Sequence, residues 1–286
     1  MRVLVLGGDG MLGHELFLSL RDKHETKVTL RQPLAAYAQT RLFDSGNAFG
    51  AIDVRNADAL KKTFSDFKPE AVVNCAGIVK QRPEADEAIE SIEVNSLFPH
   101  RAAAACRAMG ARFVQLSTDC VFSGDKGNYS ERDRPDPVDV YGRSKLLGEV
   151  ADGAAVTIRT SMIGLGLTRK TSLVDWFLAQ QGRANGYRNA IFSGLTTREL
   201  SRVIGKIIEK PRAGLYHVSA APIRKYDLLV ALRDRLRRKI EIVPLDEPRI
   251  DRSLNSDFFK QSFSYIPPSW DAMLDELAGQ IERKAA

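Results

Sequence analysis

The chain has 286 residues, of which 44% are hydrophobic and 27% charged, as is typical of a globular protein with one large or two smaller domains. Its net charge of +6 comes from Lys and Arg residues scattered among acids, so nucleic-acid binding is disfavoured and anionic small substrates fit the surface at least as well. The three cysteines, Cys75, Cys106 and Cys120, have no paired or ligand spacing, so neither a disulfide framework nor a metal site is expected.

Short apolar runs alternate with segments of helical spacing through the first half of the chain. Residues 3–6 form a continuous apolar run, typical of a strand buried on both faces and too short for a signal peptide or a membrane span. The pattern predicts strands at residues 3–6, 27–30, 51–54, 71–74, 112–117 and 156–159, and helices at residues 11–20, 57–67, 85–109 and 141–153. This alternation predicts an α/β fold with a doubly wound (Rossmann) parallel sheet, in a cytoplasmic protein without a membrane partner.

Glycines break the pattern beyond residue 159 and indicate a smaller C-terminal α/β substrate lobe. Further strands are predicted at residues 215–218 and 239–243, and further helices at residues 198–209, 225–238 and 270–283. We therefore predict an NAD(P)-binding Rossmann domain over residues 1–158 and a substrate-binding lobe over residues 159–191 and 214–286. The helical segment 192–213 is expected to pack back on the first domain.

A Gly-x-x-Gly-x-x-Gly turn joins the first predicted strand to the first predicted helix. Glycines at such a turn permit close approach of a pyrophosphate, whose charge the helix N-terminus stabilises. The turn therefore predicts a dinucleotide site formed by Gly7, Gly10, Met11, Leu12 and Gly13.

The end of the second predicted strand bears on which dinucleotide binds. An acid there would bind the ribose of NAD, whereas an Arg suits a 2′-phosphate. Arg31 stands there without an acid, so NADPH is favoured over NADH. Asp53 and Val54 end the third predicted strand, where the Asp53 carboxylate could accept from the adenine amine or could equally cap a turn.

Tyr141 and Lys145 lie one helical turn apart and form, with Thr118, the predicted catalytic set. A phenol has an ordinary pKa of about 10, and a cation nearby favours its ionised form. Tyr141 would then act as general acid on a carbonyl oxygen whose carbon receives a hydride, while Thr118 holds the same oxygen. Asn95 could orient Lys145 through a water or simply cap a helix turn.

These segments together resemble the extended short-chain dehydrogenase/reductase family, and within it the dTDP-4-dehydrorhamnose reductase branch. The resemblance covers residues 1–165 well and is carried by Gly7 to Gly13, Asn74-Cys75-Ala76-Gly77, Val94-Asn95, Ser117-Thr118-Asp119, Tyr141-Gly142-Arg143-Ser144-Lys145 and Arg159-Thr160-Ser161. It implies NAD(P)H-dependent reduction of the C4 ketone of a nucleotide-activated deoxysugar, for a surface polysaccharide or a related glycan precursor. It also makes a homodimer plausible.

The resemblance assigns further residues. It implies that the cofactor ribose is lined by Asn74, Ala76 and Gly77. Tyr141 and Lys145 are also expected to bind the cofactor. It implies that the sugar nucleotide is bound by Thr118, Asp119, Cys120, Tyr141, Arg159 and Met162.

Two positions depart from the branch and keep alternatives open. Cys120 and Met162 stand where the branch commonly has an aromatic residue and a Trp. Epimerase-reductases that resemble this chain have a Cys matching Cys120, so an epimerase or epimerase-reductase is one alternative, although residues 160–190 contain no His partner. An alternative of another class is a non-catalytic, nucleotide-binding regulatory subunit. Sugar 4,6-dehydratases also resemble this chain, but they carry Thr-Asp-Glu with an acid as proton donor. Dehydration is therefore disfavoured, because Cys120 rather than a Glu follows Asp119.

Overall fold

The computed structural model describes residues 1–79, 87–150 and 153–285. Its strands are β1 (Arg2–Leu6), β2 (Glu25–Thr29), β3 (Ala48–Phe49), β4 (Ala71–Asn74), β5 (Arg112–Leu116), β6 (Ala155–Arg159), β7 (Met162–Ile163), β8 (Arg183–Tyr187), β9 (Ala190–Phe192), β10 (Leu195–Thr196), β11 (Gly214–His217), β12 (Ile223–Arg224), β13 (Glu241–Leu245) and β14 (Ile250–Asp251). Its α-helices are α1 (Met11–Leu20), α2 (Ala57–Phe67), α3 (Ala88–Ser91), α4 (Phe98–Ala108), α5 (Val140–Leu147), α6 (Leu173–Ala179), α7 (Thr197–Glu209), α8 (Lys225–Arg235), α9 (Asp257–Phe263) and α10 (Trp270–Ala285). Among the described residues, no helix is long and apolar enough to cross a membrane.

The central sheet of the described residues has seven parallel strands in the order β11-β6-β5-β4-β1-β2-β3. The chain runs outward from β1 in one direction and then restarts at β4 in the other, which confirms the predicted doubly wound fold. In such sheets ligands bind outside the carboxyl ends of the strands, at the point where the order reverses. Here that point lies between β1 and β4, directly before Gly7 and Cys75.

Helices cover both faces of the sheet, so strand β1 buries apolar side chains on both faces. Val3 and Val5 belong to one core and Leu4 and Leu6 to the other, and each is fully buried. On the first face, α7 packs against α1 through side chains such as Ile204.

Three predicted elements differ from those observed in the first half of the chain. The third strand is Ala48–Phe49 rather than residues 51–54, because Ala51 adopts a left-handed φ of 57° and the chain leaves the sheet there. The start of the helix predicted at residues 85–109 lies outside the described residues, and from residue 92 a π-helical turn (Ile92–Leu97) interrupts it. The helix predicted at residues 141–153 ends at Leu147, because Gly148 packs against the backbone of that π turn.

The strand predicted at residues 215–218 is not part of the second lobe. It is β11, which pairs with β6 at the edge of the central sheet and brings His217 beside Arg159. The assignment of this strand to the second lobe was wrong, because nothing in a four-residue segment identifies the strand with which it pairs.

The second lobe has its own core between short strands and three helices. Strand β9 lies between β12 and β14, and β8 pairs with β13. The helices α6, α8 and α10 bury a shared cluster that includes Phe177, Leu228 and Leu274. The strands β9 and β14 face the carboxyl edge of the central sheet and close the far side of a cavity.

Candidate active site

A cavity of about 810 Å³ lies at the carboxyl edge of the sheet, between the two lobes. It brings together most of the site residues predicted from the sequence. The predicted residues that line it are Gly7, Gly10, Met11, Leu12, Arg31, Asp53, Val54, Asn74, Ala76, Gly77, Thr118, Asp119, Cys120, Tyr141, Lys145 and Met162. Gly13 and Arg159 are not among the lining residues.

The glycine turn is shaped by close backbone contacts. Gly7 has a φ of +79°, and a Cβ there would lie 2.9 Å from the backbone of Ala76. A Cβ on Gly13 would lie 2.1 Å from the carbonyl oxygen of Gly7, so Gly13 permits the helix to pack on the turn rather than contacting a ligand. Gly10 provides no side-chain cap to α1, which leaves the first N–H groups of that helix directed at the cavity. This cradle fits a dinucleotide pyrophosphate.

The region beyond β2 contains a contact that the sequence did not reveal. Tyr37, in a 3₁₀ helix, donates from its hydroxyl to Asp9 of the glycine turn at 2.9 Å, and the backbone N–H of Gln32 donates to that hydroxyl at 3.3 Å. Burial and the Asp9 carboxylate raise the pKa of Tyr37 to about 12. Tyr37 therefore fixes the loop that carries Arg31, an exposed side chain lining this end of the cavity.

Asp53 lies beyond β3 rather than at its end, and it already has a partner. Its carboxylate accepts from the guanidinium of Arg55 at 2.7 Å and from the backbone N–H of Arg55 at 2.9 Å. These hydrogen bonds hold the pKa of Asp53 below its ordinary value. Asp53 thus stabilises a turn, and it is one of the residues that line the cavity.

The loop after β4 is held by two buried amides. Asn74 donates to Gln115 at 2.8 Å and accepts from the backbone N–H of Ala76 at 3.1 Å, so it shapes the loop instead of presenting its amide to a ligand. Asn95, in the π turn, accepts from Ile78 N–H at 2.9 Å and donates to Ser144 at 3.1 Å. Asn95 therefore joins this loop to helix α5, which agrees with the frequent occurrence of π turns at functional sites.

Thr118 and Tyr141 lie side by side in the wall of the cavity. Thr118 caps a short 3₁₀ turn by accepting from Cys120 N–H at 3.1 Å, and its hydroxyl lies 3.2 Å from Asp119 Oδ1. Burial raises the pKa of Tyr141, while a hydrogen bond from Thr118 opposes that rise. The expectation that a neighbouring cation would lower this pKa is not met, because burial dominates. Tyr141 thus holds its proton firmly.

Lys145 is buried behind Tyr141. Its Nζ donates to the carbonyl oxygen of Leu116 at 2.5 Å. Burial lowers the pKa of Lys145 to about 8, and the charge of Glu149 opposes this. A Cβ at residue 77 would lie 4.0 Å from Nζ of Lys145, so the ammonium lies beside Gly77, where the cofactor ribose is expected.

Arg159 lies behind the site and not in it. It is 4% exposed and makes a two-pronged ion pair with Glu149, with both N···O distances 2.7 Å. Glu149 also accepts from Ser117 Oγ at 2.6 Å. Arg159 was predicted to lie at the substrate, whereas the structure pairs it with Glu149 and does not include it in the cavity lining. Its role is to hold Glu149, which in turn fixes the residue before Thr118.

Several lining residues were not predicted, because they come from the second lobe and carry no local motif. They are Arg169, Tyr187, Phe192, Lys225, Ile250 and Arg252. Among the residues that the structure describes, no group of three or more His, Cys, Asp or Glu side chains could hold a metal ion.

The fold and site define a Rossmann-type dinucleotide-binding protein with a short-chain dehydrogenase/reductase arrangement of Thr, Tyr and Lys. The chain belongs to the family described as the RmlD substrate binding domain, whose family model matches residues 1–281.

The chain is also similar to individual members of this family in sequence and in fold. The chain is 26% identical to a dTDP-4-dehydrorhamnose reductase of Escherichia coli, over 97% of this chain and 98% of that protein. It is 36% identical to a dTDP-4-dehydrorhamnose reductase of Streptomyces griseus, but this match spans only 44% of that protein and 52% of the chain. The structure of the Bacillus anthracis dTDP-4-dehydrorhamnose reductase in complex with NADP superposes with a TM-score of 0.82, covering 98% of this chain and 99% of that one at 20% identity, so the fold is shared.

Proposed function

We propose that this chain is an NADPH-dependent reductase that converts the 4-keto group of a nucleotide-activated deoxysugar to a hydroxyl. The observation that carries the proposal is that Thr118, Tyr141 and Lys145 line the same cavity as the glycine turn and Arg31. The end-to-end likeness to the Escherichia coli dTDP-4-dehydrorhamnose reductase supports the choice of substrate class. A cytoplasmic homodimer supplying a polysaccharide pathway is part of the same proposal.

Residues of this chain fit three parts of the cofactor, its pyrophosphate, its 2′-phosphate and its ribose. The cradle of Gly7 and Gly10 would hold the pyrophosphate, and Arg31 would pair with the 2′-phosphate. Ala76 and Gly77 would lie along the ribose, where a side chain at residue 77 would meet Asn95 at 3.2 Å. Bound NADPH would supply the hydride.

Tyr141 and Thr118 would share the substrate oxygen. The hydride adds to the carbonyl carbon, the C=O π electrons move to oxygen, and the Tyr141 hydroxyl donates its proton to that oxygen. Because its pKa is raised by burial, Tyr141 stays protonated at neutral pH and is ready to donate. The phenolate that forms is stabilised by the Lys145 ammonium, whose charge Glu149 supports from one helical turn away.

Thr118 adds a directed hydrogen bond. The Thr118 hydroxyl is within hydrogen-bond distance of both Asp119 and the Tyr141 phenol. A small rotation of this hydroxyl would direct it at a substrate oxygen held beside Tyr141. Hydrogen bonds aimed at developing charge in a buried site contribute strongly to rate.

The alternatives predict different isotope patterns. An epimerase exchanges protons at carbons beside the ketone, and a regulatory subunit transfers no hydride. In the described residues the second-lobe lining offers no His to work with Cys120, which favours simple reduction.

The test is isotopic. With NADPH deuterated at the transferred position and dTDP-4-dehydrorhamnose as substrate, we expect one deuterium at C4 of the product and none entering from D₂O at C3 or C5. Solvent deuterium at C3 or C5 would establish epimerisation instead. No transfer to any 4-keto sugar nucleotide would leave the regulatory subunit as the better account.

A further inference from the structure

Arg252 brings a cation from the second lobe to the turn that carries Thr118. It follows β14 and lines the cavity. Its guanidinium Nη1 lies 3.7 Å from Sγ of Cys120, two residues after Thr118. A group held at Thr118 would therefore have Arg252 beside it.

The guanidinium is fixed in direction by a backbone carbonyl. Arg252 Nε donates to the carbonyl oxygen of Phe122 at 2.9 Å. Phe122 is fully buried and stacks on Tyr129 at a centroid distance of 4.2 Å. Because this anchor is rigid, the remaining N–H groups of the fork point in a constant direction.

The backbone that carries Arg252 is clamped on both sides. Asp251 N–H donates to Gly124 at 2.7 Å, and Arg252 N–H donates to Ile191 at 3.3 Å. Gly124 has a φ of +97°, and a Cβ there would lie 3.1 Å from Cγ of Arg252. The side chain is thus preorganised, and little conformational entropy is lost when it binds a ligand.

The charge of Arg252 is incompletely matched within the described residues. None of their carboxylates forms an ion pair with it, and its hydrogen bonds go to Phe122 and Cys120. Burial raises the pKa of Asp119, and the positive charge of Arg252 partly opposes that rise. A guanidinium has five N–H donors, so donors remain for an oxygen in the cavity.

We propose that Arg252 is a specificity-determining residue that donates hydrogen bonds to the substituent oxygen on the ring carbon beside the reacting ketone. This assignment rests on the proposed function, because it places the ketone oxygen between Thr118 and Tyr141. Hydrogen bonds from a charged donor are roughly twice as strong as neutral ones. Arg252 is half-buried in the cavity wall, and a donor there that loses its acceptor is left unpaired, so a substrate without that oxygen is disfavoured.

The experiment compares two substrates and four proteins. The substrates are a 4-keto nucleotide sugar with a hydroxyl beside the ketone and its analogue with hydrogen there. For the unaltered protein we expect kcat/KM to favour the first substrate by roughly 10- to 100-fold, the range of hydrogen bonds to charged groups. In Arg252→Met this preference collapses, while turnover of the deoxy analogue and the affinity for NADPH are retained.

Two further variants make the result specific. Arg252→Lys keeps a cation without the fork and is expected to retain part of the preference. Arg249→Met is the matched control, since Arg249 lies in the same segment but its side chain is 76% exposed and forms an ion pair with the exposed Glu247. It should keep the full preference.

The outcomes separate the two proposals. If the unaltered protein reduces the ketone and Arg252→Met and Arg252→Lys keep its full preference, Arg252 has no such role and the proposed function stands. If the unaltered protein reduces no 4-keto nucleotide sugar, the proposed function fails and the assignment of Arg252 fails with it.

Discussion

Lys145 donates from Nζ to the carbonyl oxygen of Leu116 at 2.5 Å. This contact fixes a buried ammonium at the carboxyl end of β5, one residue before the Ser117-Thr118 turn. The Rossmann sheet and the acid–base chemistry are thus joined through one hydrogen bond. Because burial lowers the pKa of Lys145 to about 8, its charge is sensitive to pH near neutrality.

We expect turnover to decline as pH rises through about 8. The charged form of Lys145 is present below its pKa and is lost above it, whereas Tyr141, with a raised pKa, stays protonated over this interval. A profile of kcat/KM against pH measures this. Glu149→Gln should move the decline to lower pH, because the Glu149 charge raises the pKa of Lys145. Full activity retained to pH 10 would remove Lys145 from this role.

Glu149→Gln should also destabilise the fold. It leaves the Arg159 guanidinium, 4% exposed, without its counter-charge, which costs about 3–5 kcal/mol for a buried pair. Urea unfolding measures the loss. The exposed pair Lys62–Asp66 provides the control, since Lys62→Ala should change stability by less than about 0.5 kcal/mol. Equal effects of the two changes would contradict a buried network.

The paired variant Glu149→Leu with Arg159→Met should recover part of that stability. Replacing both members of a buried ion pair by apolar residues removes the unpaired charge. Activity should not recover with it, because Ser117 loses its acceptor and Lys145 loses its supporting charge. Recovery of both would indicate a purely structural pair.

Arg31→Asp should weaken NADPH far more than NADH. A carboxylate repels the 2′-phosphate and accepts from a ribose hydroxyl, so we expect the Kd of NADPH to rise roughly 10- to 100-fold or more. Calorimetric titration of the variant and the unaltered protein with each cofactor measures the change in Kd for NADPH and for NADH. Lys61→Asp, on the exposed face of α2 and away from the cavity, controls for net charge. Equal losses for both cofactors would refute a 2′-phosphate contact.

Gly13→Ala and Gly205→Ala should act in opposite directions. A Cβ at residue 13 would lie 2.1 Å from the Gly7 carbonyl oxygen, so α1 must shift, which costs about 1–3 kcal/mol and weakens cofactor binding. A Cβ at residue 205 meets only Leu20 at 3.6 Å, and Ala there should stabilise α7 by about 0.4–1 kcal/mol. Thermal unfolding compares the two. A stable Gly13→Ala variant that binds cofactor normally would contradict the packing described.

The first lobe could be predicted largely from the sequence, because its strands are long enough to carry a pattern. Residues 3–6 and 71–73 are continuous apolar runs, and they lie within β1 and β4 beside the glycine turn. The turn, Thr118, Tyr141 and Lys145 could be placed from motif spacing alone. Such local patterns can be predicted from the sequence because each lies within one strand, turn or helix.

The second lobe and part of the site could not be predicted, for physical reasons. Strands β7, β10, β12 and β14 have two residues each, too few to show periodicity. Arg252 meets Cys120 across 132 positions of sequence, a contact set by tertiary folding. The pairing of Arg159 with Glu149 could not be predicted, because every residue of β6 is buried and the sequence then shows no alternation between two faces.

The measurement that tests the central claim most directly is NADPH oxidation, followed by absorbance, with dTDP-4-dehydrorhamnose as substrate. We expect turnover by the unaltered protein and a loss of roughly 10²- to 10⁴-fold in kcat for Tyr141→Phe, the scale of a positioned general acid. NADPH affinity should fall far less than kcat in that variant, which separates chemistry from binding. Near-normal turnover by Tyr141→Phe would contradict Tyr141 as the proton donor.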